Sequence, residues 1–356
     1  MEDETTNDTA PGGGRHQFLS DNNAGICPEA MAALATENAG GHAKGYGDDG
    51  ATGRARRAIA DLFETDCGVY FVFNGTAANA LALAQLCKPY NAVIAHGFSH
   101  LQWDEANALG LFGGGVSQVL IDTPAAKLTP EAVEDKATRF EGIHHVKVNT
   151  LTVTQSTELG TVYTLDEIKA FGEIAKRHDL RFHMDGARFA NAIASVDTSP
   201  AEMTWRRGVD VLSFGGVKNG LAIGEAIVFF DKSLTEEFEW RRKQAGQLNS
   251  KMRFVAAQWL GLLGGDTWLA NARHANRMAQ RLADGLLAID GVELMHPVEA
   301  NGVFIHLPPA MQTALRDRGW QFYTFVPPTG CRLMCAWDTP ATTIDAFLTD
   351  VADVAS

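Results

Sequence analysis

The stretch "GVYFVFNGTAANALALAQLC", residues 68–87, decides the fold. Its first half is an apolar, aromatic run with strand character; its second half is rich in alanine and leucine, which favour helix. Asn74-Gly75 marks the turn between them. Working outward, "NAVIAHG" (91–97), "VSQVLID" (116–122), "VKVNTLTVTQ" (146–155), "RFHMDG" (181–186), "VDVLSFGG" (209–216) and "AIGEAIVFFD" (222–231) read as strands. Residues 128–140, with Thr129 as N-cap and Pro130 in the first turn, and the amphipathic run 164–180 read as helices. Strands separated by helices of this length predict an α/β fold, a mostly parallel, doubly wound sheet with helices on both faces. Helical segments fill 233–290, and shorter apolar runs at 292–297, 302–309, 320–325 and 332–338 point to a smaller α+β unit. The expected division is a polar tail over 1–17, a large ligand-binding domain over 18–261 and a small C-terminal domain over 262–356.

Bulk composition narrows the function. The chain has 356 residues, 46% hydrophobic and 21% charged, an ordinary globular balance. A net charge of −13 argues against a nucleic-acid partner or an anionic membrane surface. Cys27, Cys67, Cys87, Cys331 and Cys335 form no CxxC pair, which argues against a disulfide framework or zinc site and for a reducing compartment. No apolar run reaches the roughly 18 residues of a transmembrane helix. The acidic, Gly-rich opening is unlike a secretory signal. A cytoplasmic protein is the expectation.

Three features fall at the ends of predicted strands, where open α/β sheets bind ligands. Gly75 and Thr76 stand at a strand-to-helix switch, where backbone N–H groups and the helix dipole suit a phosphate. An ordinary glycine turn with Thr76 as N-cap fits the same residues. Asp185, in "HMDGAR" (183–188), is a strand-end carboxylate; without a second carboxylate or a spaced histidine pair, a metal is disfavoured. Lys218 lies in "FGGVKNGLAIGEAIVFF" (214–230), between two apolar runs. Desolvation there lowers a lysine's pKa and favours the neutral nucleophile that condenses with carbonyls. A solvated turn lysine is the plain alternative. "GGVKNG" lacks the GxxxxGK[ST] frame of a phosphate loop, and no GxGxxG follows a predicted strand. Together, a phosphate cradle, a strand-end carboxylate and a lysine form the set that pyridoxal 5'-phosphate requires.

The words "FLSDNNAG" (18–25), "YGDD" (46–49), "FNGTAAN" (73–79), "SHLQWDE" (99–105), "HMDGARF" (183–189), "GGVKNG" (215–220) and "RLMCAWDT" (332–339) carry a resemblance. In this order the chain resembles the low-specificity L-threonine aldolases, enzymes of the aspartate-aminotransferase-like fold type I that depend on pyridoxal phosphate. The resemblance covers essentially all of the chain after the tail, and is strongest to a bacterial, phenylserine-aldolase-like subgroup that shares "KQAGQL" (243–248). It implies retro-aldol cleavage of L-threonine, L-allo-threonine and related β-hydroxy-α-amino acids such as phenylserine to glycine and an aldehyde. It implies that Lys218 carries the cofactor, Asp185 faces its pyridine nitrogen, Gly75 and Thr76 hold its phosphate and His100 stacks on its ring. Arg188 and Arg332, with Ser20 nearby, would grip the substrate carboxylate. Tyr46 and Arg253 would reach the site from a neighbouring subunit, in a homotetramer with dimeric sites.

Two departures stand out. "TELG" (157–160) puts Glu158 where many members of that family carry a histidine near the substrate hydroxyl, which makes Glu158, ahead of His100, the candidate base. Val217 stands where a hydroxyl residue usually precedes the lysine, so Ser213 or the Gly215–Gly216 backbone is expected to complete the phosphate cradle. His183 is expected to pack within its strand, on the face of Asp185 but two residues deeper. His96 competes with His100. Transamination, β-elimination and a non-catalytic cofactor-binding scaffold stay open beside the aldolase reading.

Overall fold

In the computed structural model, which describes residues 17–139 and 142–355, seven of the expected strands assemble into one sheet. They are β1 (Gly68–Val72), β2 (Asn91–His96), β3 (Ser117–Ile121), β4 (Lys147–Thr154), β5 (Arg181–Gly186), β6 (Val211–Phe214) and β7 (Glu225–Phe229). Their spatial order is β1-β7-β6-β5-β4-β2-β3. β2 to β6 pair in parallel, whereas β7 runs antiparallel to both of its neighbours. Chain length is the reason. Only residues 215–224 separate β6 from β7, and a parallel crossover needs a dozen residues or more. The chain doubles back instead, and the lysine-bearing stretch becomes the turn of a hairpin at the carboxyl end of β6.

β2, β6 and β7 are buried at every residue, which is why they read as unbroken apolar runs. Phe63, Phe71, Phe189, Phe214 and Trp259 belong to the largest core cluster. Val72, Val211, Ile227 and Phe229 belong to another, packed with Leu81 of helix Gly75–Leu86. That helix is buried at every residue from Ala77 to Ala84 and so needs no polar face there. Its N-cap is Asn74, whose Oδ1 accepts the Ala77 N–H at 2.9 Å; Thr76 does not cap it. Thr129 caps helix Pro130–Arg139 as expected, accepting the Ala132 N–H at 3.3 Å.

The second sheet is antiparallel throughout: β8 (Glu293–Leu294), β9 (Gly302–His306), β10 (Tyr323–Val326) and β11 (Gly330–Met334), in the order β10-β11-β9-β8. Leu282, Leu286, Val303, Ile305, Trp320 and Phe347 form its core. Phe18, expected at the start of the large domain, is buried in this second core. Its N–H donates to Gln321 O at 2.7 Å, and its carbonyl accepts the Met334 N–H at 2.9 Å. Gln17, assigned to the tail from the sequence, bridges Gln321; the rest of that tail lies outside the described residues. The N-terminal segment therefore ties the small sheet to the carboxyl edge of the large one.

Candidate active site

A cavity of about 280 Å³ opens at the carboxyl ends of β4, β5 and β6, and Gly75, Thr76, His100, Glu158, Asp185, Arg188 and Lys218 all line it. Gly75 and Lys218, 143 positions apart in the chain, meet here because the strands that carry them to the cavity end at one edge.

The turn that carries Lys218 is held from several sides. Gly220 and Gly224 adopt φ of +113° and +102°, a backbone region that favours glycine. A Cβ on Gly216 would lie 2.7 Å from the indole of Trp259. Asn219 donates to Trp268 O at 2.8 Å, and Asn271 donates to Asn219 O at 2.9 Å. Burial pushes the Lys218 amine below the ordinary lysine range, and the charge of Arg188 pushes it further; Asp21, Asp185 and Glu225 oppose this. A surface turn lysine has no such surroundings.

Asp185 is buried at the end of β5. Its Oδ2 accepts from Asn79 Nδ2 at 2.7 Å and its Oδ1 from the Ala187 N–H at 2.9 Å. The same Asn79 amide donates to Glu105 Oε1 at 2.8 Å, and that oxygen pairs with His100 Nδ1 at 2.8 Å. One amide thus links the strand-end carboxylate to the carboxylate that orients His100. Burial alone would lower the His100 pKa, but the Glu105 hydrogen bond and the charge of Asp185 raise it. Glu158 Oε1 accepts the His100 N–H and the Thr154 hydroxyl. Burial, reinforced by the negative charge of Asp185, pushes its carboxyl up to about 7.

Arg188 reaches the cavity, but one edge of its guanidinium is closed on Asp21: Nε and Nη2 donate to Oδ2 and Oδ1 at 2.7 and 2.8 Å. Burial alone would raise the Asp21 carboxyl; the charge and hydrogen bonds of Arg188 outweigh it and hold it at about 2. Arg332, on β11, donates to Leu19 O at 3.1 Å and lies over the rings of Tyr323 and Phe325. It is not among the cavity-lining residues; burial and the nearby charge of Arg188 lower its pKa. Ser20 caps the short turn Asp21–Asn23, accepting the Asn22 N–H at 3.1 Å.

Several expectations need correction. Ser213 is paired with His183 Nε2 at 3.0 Å inside the sheet and does not line the cavity. The Gly215 N–H donates to Gly186 O at 3.0 Å, and the Gly216 N–H to Glu225 Oε2. None of the three is free for a phosphate. Tyr46 and Arg253, expected to serve a neighbouring subunit's site, are consistent with that expectation: they do not line the cavity of their own chain, Tyr46 being exposed with Lys243 over its ring and Arg253 bonded to Gly41 O at 2.7 Å. His183 packs in its strand against Thr152 Oγ1 at 2.8 Å, as expected. His96 has both ring nitrogens engaged by the Phe98 and Thr123 backbone, so His100 is the cavity histidine.

Asn79, Glu105, Asp21 and Glu225 were given no role from the sequence. The available signal was the one that singled out Lys218, a polar side chain inside an apolar run: Asn79 within 76–87 and Glu225 within 222–231.

The donor set fits pyridoxal phosphate. A desolvated amine, a buried carboxylate and the N-terminus of a 12-residue helix share one cavity, and nothing stands within 4 Å of a Cβ built on Gly75. Fold and site together define an α/β enzyme of fold type I. Residues 17–309 match the family model for beta-eliminating lyases. The chain belongs to that family. It is 52% identical over 335 residues to the low specificity L-threonine aldolase of Pseudomonas aeruginosa, covering 94% of this chain and 96% of that one. It is 49% identical to the enzyme of the same name from a Pseudomonas species, covering 96% and 98%. The structure of threonine aldolase from Leishmania major superposes with a TM-score of 0.91 at 28% identity, covering 96% of this chain and all of that one.

Proposed function

We infer that the protein is a pyridoxal-phosphate-dependent carbon–carbon lyase that cleaves L-threonine and L-allo-threonine, with related β-hydroxy-α-amino acids, to glycine and an aldehyde. The observation that carries this reading is the convergence of Lys218, Asp185 and the Gly75–Thr76 helix N-terminus on one cavity, in a chain about half identical to enzymes of that name. When bound, the cofactor supplies an electron sink for the pair left on Cα as the Cα–Cβ bond breaks.

The residues of the chain do the rest. Lys218 provides the amine that holds the cofactor, Asp185 the carboxylate that keeps the pyridine nitrogen protonated, and Gly75 and Thr76 the N–H groups for the phosphate. The first N–H groups of a helix have no intrahelical partner, which suits them to an anion. Arg188, on the edge that Asp21 leaves open, receives the substrate carboxylate, together with Arg332, which lies outside the cavity lining but near enough to Arg188 for their charges to interact. Glu158 accepts the proton of the β-hydroxyl, and its raised pKa leaves a share of it ionised at neutral pH. His100, held by Glu105 and lining the cavity, would stand beside the bound ring.

Tyr46 and Arg253 lie outside the cavity of their own chain, which favours a role in the site of a second copy; we place the protein in a homotetramer. All five cysteines are unpaired, in keeping with a cytoplasmic location. Incubating the cofactor-loaded protein with the four threonine stereoisomers tests the activity. Acetaldehyde and glycine from the two L isomers are expected. A keto acid in their place would move the assignment to transamination or β-elimination.

A further inference from the structure

Among the buried carboxylates around the cavity, Glu225 is the one that touches the lysine turn itself. It opens β7, is 7% exposed and lines the cavity. Its Oε2 accepts the N–H of Gly216 and, at 3.3 Å, that of Val217, the two residues directly before Lys218. Because β6 and β7 pair through Phe214 and Ala226, residue 225 sits across the mouth of the hairpin from the turn it binds. On its other side the turn is confined at Gly216, where Leu221 and Trp259 leave no room for a Cβ.

A neutral amide oxygen would accept the same two N–H groups without the cost of burying a charge. The carboxylate therefore calls for an electrostatic reason, and Lys218 supplies it. Arg188 and, with the opposite sign, Asp21, Asp185 and then Glu225 act on the lysine nitrogen, and His100 also feels its charge. Asp21 is also paired with Arg188, and Asp185 hydrogen-bonded by Asn79 and the Ala187 N–H, so neither holds the lysine backbone. The hydrogen bonds of Glu225 come from backbone alone; burial raises its carboxyl above the usual range, and the Gly216 and Val217 N–H groups with the charge of Lys218 oppose that rise.

We propose that Glu225 is the positioning residue for Lys218: it fixes the 216–218 backbone through two hydrogen bonds from the residues directly before the lysine, and places one more negative charge beside that turn. The inference rests on the reading of Lys218 as the amine that holds the cofactor.

The test uses full-length protein loaded with pyridoxal phosphate, as wild type, Glu225→Gln and Glu225→Ala. Two properties are read: the pH at which the visible band of the lysine-bound cofactor changes, and the affinity for pyridoxal phosphate. Glu225→Gln keeps the acceptor and loses the charge, so it holds cofactor nearly as wild type while its band changes at a pH lower by about 1 unit or more. Glu225→Ala leaves two buried N–H groups unpaired and binds cofactor about tenfold or more weakly. A Glu225→Gln protein whose band titrates at the wild-type pH overturns the electrostatic role, whether or not Glu225→Ala folds. A folded Glu225→Ala protein with wild-type cofactor affinity overturns the positional one. Failure of the reading of Lys218 is recognised separately, in the unmutated protein: no visible band forms, or borohydride does not fix the cofactor to residue 218.

Discussion

Glu158 Oε1 accepts the backbone N–H of His100 at 2.8 Å, on the same oxygen that receives the Thr154 hydroxyl at 2.9 Å. Two donors fix one oxygen of a carboxylate whose pKa burial has raised to about 7, with Asp185 adding to the rise. A base must be unprotonated to act, so aldehyde release should rise with pH through about 7. Glu158→Gln should lower kcat by about 10²–10⁴-fold and leave cofactor bound. A pH–rate profile checks both statements, and wild-type turnover in the variant would dismiss Glu158 as the base.

Lys218→Ala removes the amine and is expected to abolish the visible absorption of the bound cofactor together with turnover. Absorbance spectra and aldehyde assays on the purified variant decide this. Full colour and rate in the variant would reject the assignment.

Asp21→Asn breaks a buried, bidentate pair and leaves Arg188 uncompensated, at a cost of about 3–5 kcal/mol in urea unfolding. The folded pKa of Asp21 lies below its ordinary 3.8, so its contribution is complete above about pH 4 and fades as pH falls toward 2. Unchanged unfolding midpoints at pH 7 would contradict the pair's structural role.

His183 is buried and neutral, with burial lowering its pKa from 6.5 to about 4. Below pH 6.5 the unfolded chain binds a proton that the folded one refuses until about pH 4. Stability should therefore decline across that window by about 3 kcal/mol. The comparison is urea unfolding at pH 7 and pH 4.5 for wild type and His183→Gln; an equally steep decline in the variant would assign the effect elsewhere.

Gly75→Val adds a side chain where no protein atom lies within 4 Å of a Cβ. Thermal unfolding of the cofactor-free protein should change little, whereas affinity for pyridoxal phosphate should fall about tenfold or more, because the helix N-terminus is screened. Equal loss of both would mean that Gly75 serves the fold and not the ligand.

Much of this was legible in the chain. All seven strands of the main sheet, the helix after Gly75 and the helix capped by Thr129 follow from composition, period and turn residues. The antiparallel β7 was not foreseen, although the short 215–224 connection implies it. At the site, Lys218 and Asp185 stood out because each interrupts or ends an apolar run. Glu225 gave the same signal one turn later and was passed over. Ser213, Gly215 and Gly216 were misjudged for a different reason: their groups are of the right type, and only their partners disqualify them.

Composition and spacing alone determined the elements, the fold class and the two side chains on which the cofactor reading rests, because strand and helix signals, and a lysine or aspartate out of place in an apolar run, are local properties. Tertiary structure decided which polar groups remain available. Asn79 meets Asp185 across 106 residues, and Arg188 meets Asp21 across 167. A hydrogen bond is satisfied by whatever the fold brings within about 3 Å, and no local pattern records that distance.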